Sequence, residues 1–92
     1  MSHSVSRTFK IINVKGLHAR ASAKFVEVVE DFDARAEVTH NGMSTSGDSI
    51  MGLLMLAASV GTSIDVETTG PQAQELADAL DALVSNRFGE DM

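Results

Sequence analysis

A chain of 92 residues can bury one thin hydrophobic core and not two, so a single domain over 1–92 is expected. The absence of cysteine excludes disulfides, thiolate metal sites and a catalytic thiol, and it fits a reducing compartment. A formal net charge of −6 argues against nucleic acid as a partner, while 43% hydrophobic residues is ordinary for a globular chain.

The opening segment "MSHSVSRT" has no apolar signal core, and the stretch "IMGLLMLAASVG" is too short to span a bilayer. The expected location is the cytoplasm, without membrane insertion. Residues 7–13 then alternate, with Phe9 and Ile11 on one side and Thr8 and Lys10 on the other, as in a half-buried strand. From Ala19 to about Asp31, Ala21, Phe25, Val28, Val29 and Phe32 recur at helical spacing, with Lys24 and Glu27 facing outward. Residues 34–40 alternate again, Ala36 and Val38 against Arg35, Glu37 and Thr39. Asn41-Gly42 is a strong hairpin signal and predicts a returning strand at 43–46.

A short helix is predicted to begin near Ser49 and to end before Gly61. Ile64 and Val66 alternate with Asp65 and Glu67 in a fourth strand, which Gly70-Pro71 breaks. Pro71 suits the first turn of a last helix, whose apolar face is Ala73, Leu76, Ala77, Leu80, Leu83 and Val84. Glu75, Asp78 and Asp81 lie opposite, and the tail "GEDM" is expected to fray. The order β-α-β-β-α-β-α implies an α+β fold: a four-stranded antiparallel sheet with three helices on one face.

Charge is unevenly spread. Arg7, Lys10, Lys15, Arg20 and Lys24 precede residue 25, where no Asp or Glu occurs, and the remainder holds all 13 acids with only Arg35 and Arg87. Such a cluster is either a solvated face or a local anion site on an acidic body, and charge alone does not choose.

Within that basic segment, "VKGLHARASAKF" places His18 where the strand should turn into the first helix. Amides at a helix N-terminus lack helical partners and attract anions. Arg20, inside the first turn, can add a charge-assisted bond to the same oxygens, and Gly16 permits the tight turn. A neutral imidazole there can attack phosphorus, with the surrounding groups positioning and neutralising. A lone histidine at a helix start is nevertheless more often structural. His3 and His40 supply no ligand set at metal spacing, and no serine-triad motif occurs.

The second informative stretch is "GDSIMGLLMLAAS". Ser49 suits an N-cap, and Leu53, Leu56 and Ala57 can serve the core. Ile50, Met51 and Leu54 are then left near the surface as a partner-binding patch, although a fully buried helix is an equal alternative. Ser49 is equally open to two readings, a structural cap or a phosphorylation site that sets a near-dianion at the helix start.

Taken together, "GLHAR" at 16–20, "SIMGLLML" at 49–56 and the element order resemble HPr, the histidine-containing phosphocarrier of the bacterial phosphoenolpyruvate-dependent phosphotransferase system. The resemblance covers roughly residues 7–88. It implies an open-faced sandwich in which His18 is phosphorylated on Nδ1 by enzyme I and passes the group to an EIIA-type domain. Such a protein is a phosphocarrier and not an enzyme, and it needs no cofactor.

The same resemblance implies that Arg20 assists at the phosphoryl group and that Leu17, Ala19, Lys24, Ile50, Met51 and Leu54 meet partners. Ser49 matches the serine that an HPr kinase/phosphorylase modifies in some bacteria. Ala21 departs from the proline common after the arginine, and Asp48 stands where many members carry a basic residue. The form "GLHARASAKFV" and the acidic body are similar to proteobacterial HPr proteins, some of which serve nitrogen-related regulation instead of sugar uptake. Two other classes compete: an interaction-only regulator acting through Ser49 and the second-helix surface, and a small ligand-binding domain on a similar scaffold.

Overall fold

The computed structural model describes residues 4–92, so the expectation for His3 lies outside the described residues. Four strands, β1 (Ser4–Lys10), β2 (Arg35–His40), β3 (Met43–Ser46) and β4 (Ser63–Thr69), form one antiparallel sheet in the order β1-β4-β2-β3. Three helices, α1 (Ala19–Glu30), α2 (Ile50–Leu56) and α3 (Ala73–Ser85), complete the expected β-α-β-β-α-β-α order. A single tight turn at Arg87–Gly89 follows α3.

The period-two pattern sets which face is covered. Phe9 lies opposite Ile64, and Val66 opposite Val38, so these side chains share the face that the helices bury. Phe25 and Val29 of α1, Leu53 and Leu56 of α2, and Leu76, Leu80 and Val84 of α3 close on them in one contiguous core. The hairpin forms at Asn41-Gly42 with φ of 50° and 80°, the left-handed pair that matches strand twist in a two-residue turn.

Several boundaries differ from the pattern-based expectation. The first strand occupies Ser4–Lys10, and Ile11 to Asn13 belong to the loop before α1, held by the pair Ile11 N–H to Thr62 O and Gly61 N–H to Ile11 O, both 2.8 Å. Pro71 precedes the N-cap residue Gln72 and shapes the turn from β4 rather than the first helical turn. Ala57 does not join the core: it is exposed and left-handed at the end of α2, and Ala58 is buried instead.

The tail is the largest departure, because Phe88 is fully buried and anchors it. Arg87, Phe88 and Gly89 all have positive φ (55°, 54° and 80°), a sharp left-handed turn that reverses the chain after α3. Asp91 and Met92, which follow Glu90, are exposed.

Candidate functional site

His18 is the N-cap of α1, with extended backbone (φ −77°, ψ −177°), and its side chain makes no capping bond. Its carbonyl accepts from Ser22 N–H at 2.8 Å and starts the helix. The opening amides of α1 are therefore left to an external acceptor. Gly16 makes this approach possible: its φ is +65°, and a Cβ there would lie 2.5 Å from the Ala58 carbonyl oxygen. Leu17 N–H donates to that same oxygen at 2.9 Å, which fastens the loop to the segment after α2.

The ring itself is partly open, with a quarter of the side chain (25%) exposed. Nε2 is hydrogen-bonded to Glu90 Oε2. Nδ1 has no hydrogen-bond partner among the described residues, and it is not among their buried unpaired polar atoms, of which Asn13 Oδ1 is the one. One nitrogen is thus occupied and the other is available.

Asn13 braces the arrangement from beneath. It is fully buried, and its Nδ2 donates to Gly16 O at 2.8 Å and to Glu90 Oε1 at 3.0 Å. Both partners are acceptors, so the amide orientation is fixed by the network. Glu90 therefore spends one carboxylate oxygen on His18 and the other on Asn13. Burial works to raise its pKa, but the bonds from Asn13 and His18, with the charge of Lys15 and that of the imidazole whenever it is protonated, outweigh it and hold the carboxyl below its ordinary value.

Arg20 is exposed in the first turn of α1, and no ion pair engages its guanidinium among the described residues. A concavity of about 370 Å³ is lined by Lys15, Arg20 and Lys24 together with Glu90 and Asp91, among others. The basic cluster of the sequence is thus divided. Lys15, Arg20 and Lys24 gather around this concavity, whereas Arg7 is held by Asp78 at 2.7 Å and Asp81 at 3.5 Å on α3.

The expected partner-binding residues fare unequally. Ala19 is exposed, but Leu17 is only 4% exposed and packs in the core, because the turn at Gly16 directs it inward. Lys24 does not face outward: it is half-buried and donates from Nζ to Phe88 O at 2.7 Å. On α2, Ile50 and Met51 are exposed and Leu54 is half-buried, while Leu53 and Leu56 turn inward. Met55 joins that surface at 67% exposure, beside Met51 at 68%. Sequence reasoning had not placed Met55, Asn13 or Glu90 at the site. The helical spacing 51/55 could have indicated Met55, but no local pattern marks the other two.

Ser49 is the N-cap of α2, and its Oγ accepts from Gly52 N–H at 3.0 Å. Among the described residues no group of three or more His, Cys, Asp or Glu could hold a metal ion. No helix there is long and apolar enough to cross a membrane.

Residues 5–86 match the family model described as "PTS HPr component phosphorylation site". The chain is 48% identical over 86 residues to the phosphocarrier protein HPr of Cupriavidus necator, covering 94% of this chain and 97% of that one. It is 38% identical over 89 residues to the phosphocarrier protein NPr of Escherichia coli K12, covering 96% and 99%. Among solved structures, an HPr from Thermoanaerobacter tengcongensis superposes with a TM-score of 0.90 at 32% identity, covering 96% of this chain and 99% of that one.

Proposed function

The chain belongs to the HPr family of phosphocarrier proteins, and from that membership we propose that it is a phosphoryl relay of the phosphotransferase system with His18 as the carrying residue. Nδ1 takes the group from phosphorylated enzyme I and gives it to an EIIA-type protein. The observation that supports this most directly is the division of labour on the ring: Nε2 is bound to Glu90, while Nδ1, at a helix N-terminus with no side-chain cap, has no partner among the described residues.

The chemistry follows from that placement. The Nδ1 lone pair forms a bond to phosphorus as the bond from phosphorus to the donor breaks, and the electron pair leaves with the donor. The phosphoryl oxygens then lie toward the opening amides of α1 and the Arg20 guanidinium, which no ion pair engages among the described residues; these groups offer hydrogen bonds and positive charge. The reverse step needs the same groups, because a carrier must hold the phosphate without trapping it. In this reading the protein is itself a substrate of both steps, acts in the cytoplasm, and folds as one domain.

Partner recognition falls to the exposed Ala19 and to Ile50, Met51 and Leu54 of α2, with Met55 added. A flexible, methionine-rich surface can fit more than one partner. Ser49 in this reading is a regulatory phosphorylation site, the kind modified by an HPr kinase/phosphorylase. Its hydroxyl already serves as a cap, so modification there replaces a structural bond with charge at the edge of the docking surface. Whether the relay serves sugar uptake or nitrogen-related regulation depends on the EIIA-type acceptor.

The test is incubation with enzyme I and labelled phosphoenolpyruvate. Acid-labile label that disappears in His18→Ala is the expected result. Label that persists in that variant overturns the assignment.

A further inference from the structure

The feature that neither the composition nor the family match accounts for is the closed chain of contacts from the tail to the imidazole. Three successive residues take positive φ, two of them the non-glycine residues Arg87 and Phe88. Backbone held in that region by side-chain-bearing residues is unfavourable and persists where surrounding contacts enforce it. Here the contacts are the burial of Phe88 and the Lys24 Nζ bond to its carbonyl. The turn is closed by Gly89 N–H to Asn86 O and Glu90 N–H to Arg87 O, both 2.9 Å. Its outcome is to deliver one carboxylate to one ring nitrogen, with Asn13 holding the second oxygen at 3.0 Å.

We propose that Glu90 is a positioning residue for phosphoryl exchange at His18, holding the proton on Nε2, leaving the lone pair on Nδ1 and countering the charge the ring gains on bonding phosphorus. The proposal rests on the phosphocarrier reading of His18. A carboxylate accepts and cannot donate, so its bond to Nε2 selects the neutral tautomer with hydrogen on Nε2. That tautomer is the one able to attack through Nδ1.

The proton stays on Nε2 throughout. As the Nδ1–P bond forms and the donor departs with the electron pair of its own bond to phosphorus, the ring becomes an imidazolium. Glu90 is already ionised and in contact, so no group has to move to neutralise it. When the acceptor takes the phosphoryl group, the Nδ1–P electron pair returns to the ring, which is again neutral. A protonated ring is also the better leaving group, so the same carboxylate favours onward transfer. The buried Asn13 keeps the carboxylate from rotating away, and Lys15 adds positive charge nearby.

The full chain, labelled with ¹⁵N-histidine, tests this as wild type, Glu90→Gln, Glu90→Ala and His18→Ala. Initial rates of label uptake from enzyme I and phosphoenolpyruvate are measured beside the ring ¹⁵N signals of the unphosphorylated protein above its imidazole titration. An amide at 90 has no charge and a single acceptor oxygen, for which Nε2–H competes with Asn13 Nδ2–H. Glu90→Gln is therefore expected to weaken the tautomer preference and to lose about tenfold or more in uptake rate, the scale of a charge-assisted bond. Glu90→Ala is expected to lose both, with Nδ1–H signal appearing.

Uptake at the wild-type rate in both Glu90 variants overturns the proposal. So does faster uptake, which makes the carboxylate a latch that must open. These results are separable from failure of the carrier reading, which is label persisting in His18→Ala and which removes this proposal with it.

Discussion

Lys24, in the second turn of α1, donates from Nζ to the carbonyl oxygen of Phe88 at 2.7 Å, so the helix that begins at His18 also fastens the chain's last turn. The ammonium head lies close over that turn, since a Cβ at Gly89 would come 3.0 Å from Nζ. A cation expected to meet partners is committed to the architecture of the site.

Removing that bond should loosen the tail more than the fold. Lys24→Ala is expected to cost about 0.5–1.5 kcal/mol of stability, since the core stays intact. Hydrogen exchange at the amides of Gly89 and Glu90 should rise at least several-fold, with most sheet amides unchanged. Protection at those two amides equal to wild type would show that Phe88 burial alone secures the turn.

Arg20 presents the opposite case, an exposed cation with no ion pair among the described residues. Arg20→Ala should leave the thermal midpoint within a few degrees of wild type and slow phosphoryl uptake by about tenfold to a hundredfold, the range for losing a charged donor to an oxyanion. Thermal collapse of this variant would assign the residue a structural role.

Ser49→Asp separates the two roles of the serine. Aspartate caps helices about as well as serine, so α2 should persist, and the circular dichroism spectrum should match wild type. The added charge is expected to weaken phosphorylation at His18. Ser49→Ala should instead cost about 1 kcal/mol of stability and spare the rate. Identical transfer kinetics for Ser49→Asp and wild type would show that this position does not communicate with the ring.

Acid should undo the tail contact in a definite direction. Glu90 has a folded-state pKa below its ordinary value of 4.5, so the unfolded chain binds more protons there than the native one. Its stabilising contribution is present in full above about pH 4.5 and is lost as pH falls through the lower folded value. Asp78, lowered chiefly by its bond from Arg7, contributes with the same sign. Urea midpoints measured from pH 6 downward should fall, and Glu90→Gln should make the fall shallower; parallel curves for the two proteins would contradict the bonds that the Glu90 carboxylate accepts from Asn13 and His18.

Much of this site was legible in the chain because its signals are local. Gly16, His18 and Arg20 span five residues, and a strand-to-helix transition orients all three. Asn41-Gly42 specified its hairpin, and Ser49 its cap, by chemistry confined to two or three neighbours. The tail was not legible, and the reason is physical. Glu90 meets a ring 72 positions away, through a turn that two ordinary side-chain-bearing residues complete at positive φ. Nothing in "SNRFGEDM" announces that geometry; it follows from Phe88 finding space in the core. Asn13 was hidden for a related reason, since a buried polar residue outside any periodic segment looks like loop composition. Leu17 was expected at the partner surface from the resemblance alone, and Gly16 redirects the chain there so that Leu17 turns into the core.

The strand order carries one more consequence. The two rims of the sheet are β1 and β3, and each is a poor template for recruiting a strand from another molecule. β3 offers four residues and stops. β1 bears Lys10 at its end and Arg7 clamped sideways to α3, so an incoming chain would have to bury one cation and work around another. Crowded solutions of this protein should therefore resist fibrillar growth along either border.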